Sequence, residues 1–189
     1  MKFIVIDGLD GSGKDTQIDL IAKYYKSQGK KVVVRSHPCD DNRYGRKSRQ
    51  ALLGTGKINH IKATIYFGLD AIRSVRKYSH DDTIDVLIFS RYVLAVMYLP
   101  NVINTITYKI VCTVLPTSDT MFFLDVSPEE SLRRIGSRDE ETEMFENIES
   151  LTKNREVSKK FTYNWNVIDG DQSIEEISNQ ILDICISSD

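Results

Sequence analysis

The stretch that most constrains the fold is the first sixteen residues, Met1-Lys2-Phe3-Ile4-Val5-Ile6-Asp7-Gly8-Leu9-Asp10-Gly11-Ser12-Gly13-Lys14-Asp15-Thr16. Phe3 to Ile6 is an unbroken apolar run, which suits a strand covered on both faces in a parallel sheet. It runs directly into Gly8-x-x-x-x-Gly13-Lys14, the spacing of a phosphate-binding loop. Glycines let consecutive backbone N–H groups curl around phosphate oxygens with no Cβ in the way. Lys14 adds a point charge, and the helix expected to follow adds the positive end of its dipole. The regular pattern closes on Ser or Thr, whose hydroxyl holds Mg²⁺; here Asp15 occupies that position and Thr16 follows. The context of strand, loop and helix marks a nucleotide-phosphate site built from Gly8, Leu9, Asp10, Gly11, Ser12, Gly13, Lys14, Asp15 and Thr16.

A chain of 189 residues is long enough for one domain with a central sheet and helices on both faces. Its 25 basic and 27 acidic side chains nearly cancel, which argues against bulk electrostatic binding to nucleic acid or a membrane surface. Cys39, Cys112 and Cys185 are odd in number and far apart, which suits a reducing compartment, and neither they nor His37, His60 and His80 show metal-ligand spacing. Their expected role is packing. No apolar run approaches the ~18 residues of a membrane helix, and the N-terminus enters the loop strand with no room for a leader, so a cytoplasmic protein is expected.

Along the chain, helical and strand patterns alternate. Lys14 to Gln28 predicts a helix with Ile18, Ile21, Ala22 and Tyr25 on one stripe. Val32 to Ser36 predicts a strand ended by His37-Pro38, Arg43 to Leu53 a basic helix, and Ile58 to Tyr78 a helix with Ile61, Ile65, Leu69, Ile72 and Val75 as its apolar stripe. Ile84 to Phe89 is a third strand, closed by Ser90-Arg91-Tyr92, and an apolar helical stretch broken at Pro100-Asn101 follows. Met121 to Val126 and Asn166 to Asp169 are the last strands. Ser127-Pro128-Glu129-Glu130 and Ser173-Ile174-Glu175-Glu176 both have the pattern of a capping box. Arg133, Arg134 and Arg138 surround Gly136-Ser137, and a charged helix is expected from about Glu143 to Lys160. The alternation implies an α/β architecture with a five-stranded parallel sheet flanked by helices in three layers. Ligands of such sheets sit beyond the strands' carboxyl ends, which collects Asp10, Pro38, Ser90-Arg91-Tyr92 and Asp125 at one crevice.

These residues, in this order, resemble the thymidylate kinase family of P-loop nucleoside monophosphate kinases over nearly the whole chain. Asp7-Gly8-Leu9-Asp10-Gly11-Ser12-Gly13-Lys14 resembles the family's loop. Ser90-Arg91-Tyr92 sits where the family has D-R-Y/H, and Leu124-Asp125-Val126-Ser127-Pro128-Glu129 is similar to its L-D-V-x-P-E. The resemblance implies transfer of the ATP γ-phosphoryl group to dTMP, giving dTDP, with Mg²⁺ and in a homodimer formed through Ile61 to Ile72 and Val93 to Leu99. It also implies roles. Lys14 and the loop hold the ATP phosphates, Arg91 clamps the acceptor phosphate, and Arg134 and Arg138 come from a lid at about 134–143. Asp10 accepts a hydrogen bond from the deoxyribose 3′-OH, Phe67 stacks on the base, and Pro38 and Tyr92 complete the acceptor site. Plainer alternatives stay open at this stage: a solvated helix end for the arginines, core packing for Phe67, and loop capping for Asp10.

The chain departs from the family's pattern in several places. Ser90 replaces the aspartate beside Arg91, so Asp15 is the candidate Mg²⁺ ligand with Ser90 next to it. Cys39-Asp40-Asp41 replaces an arginine or glycine-rich loop. The arginine expected four residues after Phe67 is Ala71, with Arg73 its nearest substitute, and Ala95-Val96-Met97 replaces polar groups facing the base. Two other readings compete. One is a deoxynucleoside kinase, which generally wants a carboxylate base where this chain has His37. The other is a nucleotide-binding protein with weakened catalysis, for which Ser90 is the reason.

Overall fold

In a computed structural model, which describes residues 1–137 and 146–188, five strands form one parallel sheet. In chain order the elements are β1 (Lys2–Gly8), α1 (Lys14–Ser27), β2 (Val32–Ser36), α2 (Arg43–Leu52), α3 (Lys57–Tyr78), β3 (Val86–Ser90), a 3-10 helix (Val93–Tyr98), α4 (Asn101–Val114), β4 (Met121–Asp125), α5 (Pro128–Ile135), α6 (Ile148–Lys159), β5 (Asn166–Asp169) and α7 (Ile174–Ser187). The strand order is β2-β3-β1-β4-β5, with Ile6 opposite Ser90 and Ser36 opposite Ser90 in register. This order puts β1 in the middle, so the loop at its carboxyl end opens between the tips of β3 and β4.

Strand residues alternate between two cores, as the two-residue period of a strand requires. Ile4, Ile6, Val86, Ile88, Phe122 and Leu124 pack on α1 and α7. Val5, Leu87, Phe89 and Phe123 pack on the other face against the 3-10 helix, α4 and α6. Both faces of β1, β3 and β4 are therefore covered, which is why their sequences read as continuous apolar runs. Each core side chain contributes roughly 1.5–3 kcal/mol of transfer free energy.

The capping box at Ser173 forms: its Oγ accepts from the Glu176 amide at 3.3 Å, and its own amide donates to Glu176 Oε2 at 3.0 Å. The one expected at Ser127 does not. Ser127 makes no side-chain cap, because Glu130 is drawn instead to Arg133 and Arg134. Asn42 caps α2, accepting from the Tyr44 and Gly45 amides at 2.9 and 3.1 Å.

The two stretches expected at a subunit contact differ in exposure. On α3, Ile61 is 58% and Ile65 56% exposed, while Ala63, Ala71 and Ser74 lie on the buried face. Val93 to Leu99, expected as a subunit contact, is internal, with Val93, Leu94, Val96 and Met97 all buried. The second exposed apolar ridge lies on α4, at Val102, Ile103, Ile106, Ile110 and Val114. A residue pattern gives the period of a helix but not which side meets the sheet.

Candidate active site

The loop after β1 is closed by backbone geometry that only glycine adopts at low cost. Gly11 has φ 81° and a Cβ there would run into the Ser131 backbone; Gly13 has φ 88° and leads into α1. Lys14 is buried and folds back into the loop, donating to Gly8 O at 3.0 Å and Leu9 O at 2.5 Å. Burial, followed by the repulsion of Arg91, lowers its pKa to about 8 against the pull of Asp10, Asp15 and Asp7. Ser12 Oγ is buried with no hydrogen-bond partner among the described residues. A glycine cradle, an orphaned hydroxyl, a helix N-terminus and an ammonium group together suit phosphate oxygens.

Arg91 follows β3 directly and is the one non-glycine residue with positive φ, 49°, among the described residues. That conformation costs roughly 1–3 kcal/mol and persists where the surroundings fix it. Here they do: Nη2 donates to Asp10 Oδ1 at 3.2 Å, Nη1 donates to Ser36 Oγ at 3.3 Å, and Nη1 lies 3.9 Å from Asp15 Oδ1. Burial disfavours the charge on Arg91, but Asp10 and Asp15 outweigh it and raise its pKa. Burial likewise pushes Asp10 up, yet Arg91, Lys14 and the Tyr98 hydroxyl, donating at 3.0 Å, bring it below the usual carboxylate range. Asp7 is buried, accepts from the Tyr92 amide at 3.0 Å, and has its pKa raised by desolvation.

From this charged end a cavity of about 700 Å³ runs between α2, α3, the 3-10 helix and α4. Lys14, Asp15 and Thr16 line one end; Pro38, Phe67 and Tyr92 line the walls, as do Ala71 and Ala95 to Met97. Phe67 faces the His37 ring at 6.1 Å. The Tyr92 hydroxyl is buried without a partner among the described residues, and its ring packs edge-on to Phe3 and Phe89.

Three candidate residues, Arg73, Ser90 and Asp125, sit elsewhere, and Arg134 flanks the phosphate loop. Arg73 does not line this cavity but a separate hollow with Tyr44 and Arg76, 4.0 Å from Asp41. Ser90 is fully buried, and its Oγ has no partner among the described residues. Asp125 is taken by Arg155 at 2.6 Å and Lys159 at 2.9 Å. Arg134 pairs with Glu130 at 2.7 Å, donates to Gly170 O at 3.2 Å, and ends 3.9 Å from where a Cβ on Gly13 would lie. Of the lid expected at about 134–143, Arg138 and the residues after it lie outside the described residues.

The carboxylates lining the cavity are Asp7, Asp10, Asp15 and Glu146. Asp10 is committed to Arg91 and Tyr98, and Asp7 to the Tyr92 amide. Asp15 is 65% exposed at the head of α1, a hard oxygen donor of the kind Mg²⁺ takes beside phosphates. Sequence reasoning missed Asp7 and Tyr98 as site residues. Asp7 stood inside the motif and could have been found there, whereas Tyr98 reaches Asp10 from 88 residues away.

A central phosphate-binding loop, an arginine at the neighbouring strand tip and an adjoining cavity define a nucleotide kinase of the P-loop class. The family model for thymidylate kinase matches residues 6–181. A probable thymidylate kinase of Methanococcus aeolicus is 33% identical over 163 residues, 85% of this chain and 77% of its own. A thymidylate kinase of Prochlorococcus marinus is 30% identical over 205 residues, 99% and 96% of the two chains. A solved thymidylate kinase structure from Candida albicans superposes with a TM-score of 0.76 at 17% identity, over 99% of this chain and 92% of that one. The chain belongs to the thymidylate kinase family.

Proposed function

We propose that this chain transfers the γ-phosphoryl group of ATP to dTMP, giving dTDP, with Mg²⁺. The observation that carries the reading is Arg91, fixed by Asp10, Ser36 and Asp15 at the junction of phosphate loop and apolar cavity. Phosphoryl transfer asks the protein chiefly for alignment and charge neutralisation. The loop amides, Lys14 and the α1 terminus bind the donor phosphates. Arg91 turns its guanidinium to the acceptor phosphate, which matches it bidentately. Asp10 and Tyr98 supply acceptor and donor for a sugar hydroxyl, and Phe67 offers its ring to the base. Mg²⁺, when bound, neutralises phosphate charge, with Asp15 as its ligand in place of the usual hydroxyl. Arg134 flanks the donor side of the loop at Gly13.

The deoxynucleoside kinase alternative needs a base at the end of β2. Burial lowers the His37 pKa to about 4, which makes it a poor proton acceptor and favours the monophosphate reading. We also infer a homodimer through the exposed ridges of α3 and α4, since patches of this kind on a monomer mark an interface. Among the described residues no helix is long and apolar enough to cross a membrane. Cys39, Cys112 and Cys185 form no disulfide among the described residues, which fits the reducing compartment that the sequence predicts.

The test is ADP release with ATP, Mg²⁺ and a panel of dTMP, dUMP, UMP, CMP, dCMP, AMP, GMP and thymidine. Turnover of dTMP well above the others is expected. Silence with every acceptor while ATP still binds would overturn the reading and leave a nucleotide-binding protein.

A further inference from the structure

Beside the cavity, at the end of β2, lies a cluster the phosphoryl chemistry does not use. His37, Cys39 and Asp70 are all buried, and their potential ligand atoms lie within 4.8 Å of one another. They come from the residue just after β2, the loop beyond it, and the middle of α3. The His37 ring is held by one nitrogen: Nδ1 faces the Ser90 carbonyl at 3.2 Å. The other, Nε2, is buried with no partner among the described residues. An imidazole oriented by a backbone carbonyl, with the second nitrogen bare, is the arrangement of metal-binding histidines. Asp70 is fixed as well: Oδ2 accepts from the Cys39 amide at 2.7 Å and Oδ1 from Asn42 Nδ2 at 2.6 Å, each oxygen keeping a further lone pair. The Cys39 thiol donates weakly to Ser36 O at 3.0 Å.

We propose that His37 Nε2, Cys39 Sγ and an Asp70 carboxylate oxygen bind a zinc-class divalent cation, with water in the fourth position. Sulfur and imidazole select such a cation against Mg²⁺, which demands an oxygen shell, so this site is distinct from that of the nucleotide's metal. Metal–ligand lengths of about 2.0–2.3 Å put tetrahedral ligand atoms roughly 3.3–3.8 Å apart, so the three groups close by on the order of 1 Å. The thiol proton leaves to solvent, the contact with Ser36 O is given up, and thiolate plus carboxylate neutralise the ion in its buried setting. Because His37 and Pro38 line the cavity, an occupied site pins the wall that faces Phe67.

The test uses untagged, chelator-treated protein with Co²⁺ as spectroscopic probe, in millimolar Mg²⁺. One equivalent of Co²⁺ should give thiolate-to-metal charge-transfer absorption that Zn²⁺ abolishes. Cys39→Ser should remove the band and weaken Zn²⁺ binding about a hundredfold or more, while Cys112→Ser leaves both unchanged. Zn²⁺ should raise the melting temperature of the parent but not of Cys39→Ser; if that variant does not fold, Cys39→Ala takes its place. Absence of the band in the parent, or its persistence without Cys39, would overturn the proposal. Because the readout is metal binding and not turnover, the result stands whatever the acceptor proves to be.

Discussion

The two ends of the cavity are built on opposite principles. The phosphate end is a knot of charge at the tips of β1 and β3, where Lys14, Asp10, Arg91 and Asp15 lie within 4 Å of their neighbours in turn. The other end is an apolar slot between α2, α3 and the 3-10 helix, lined by Phe67, Ala71 and Ala95 to Met97. At the first end small displacements change electrostatic interactions strongly, because Lys14 and Asp10 are buried and weakly screened. At the second, selectivity comes from shape, and one methyl group is worth only about 1–3 kcal/mol. The division suggests that chemistry is fixed at one end and that acceptor choice is softer at the other.

The largest effect should come from Lys14→Ala, about a thousandfold loss of kcat with dTMP while the circular dichroism spectrum is retained. Arg91→Ala comes next, with a loss in kcat/KM for the acceptor of a hundredfold or more. Arg91→Lys should recover little of it, since a single ammonium cannot replace a guanidinium that spans Asp10 and Ser36. Phe67→Ala should raise KM for dTMP about tenfold and change kcat much less. If it instead lowered kcat as deeply as Arg91→Ala, the two ends would not be separable and the comparison would fail.

The smallest effect concerns the loop that walls the apolar end. Arg35 is buried, and both its terminal nitrogens donate to Asp41 at 2.9 Å. Hydrogen bonds from Arg35 and Asn42 outweigh partial burial and hold Asp41 well below the usual carboxylate range. A carboxyl depressed in the folded state stabilises at every pH above its unfolded value near 3.8 and loses that contribution as pH falls through the folded one. Asp41→Asn should therefore lower the melting temperature by a few degrees at pH 7, and the gap from the parent should narrow on acidification. An equal gap at pH 7 and pH 3 would show that the pair does not act through charge.

The same contrast explains what could be read from the amino-acid order. The phosphate loop is contiguous, and its glycines, lysine and flanking apolar run state one geometry together. Arg91 was legible because it ends an apolar strand. Five strands followed from runs of β-branched and aromatic residues, and the Ser173 cap from a local pattern. The apolar end, with Phe67, Ala71 and Ala95 to Met97, was legible only through the family resemblance, because its walls come from separate elements brought together by packing. Tyr98 joins Asp10 across 88 positions, and Asp70 reaches Cys39 across 31. The period of α3 was legible, but not which of its sides meets the sheet. A helix with apolar residues on one side and small ones on the other can bury either, and here Ala63, Ala71 and Ser74 let it approach the body of the protein closely.

Lys14 carries a further consequence. Its ammonium is desolvated within the loop before any nucleotide arrives, held among the described residues by two carbonyls and a carboxylate 3.9 Å away. The penalty for stripping water from that charge therefore falls on folding and not on ligand capture. Durability and turnover are thus opposed at a single nitrogen atom. An apolar chain of similar length at this position, as in Lys14→Met, should yield an inert protein that melts higher than the active one.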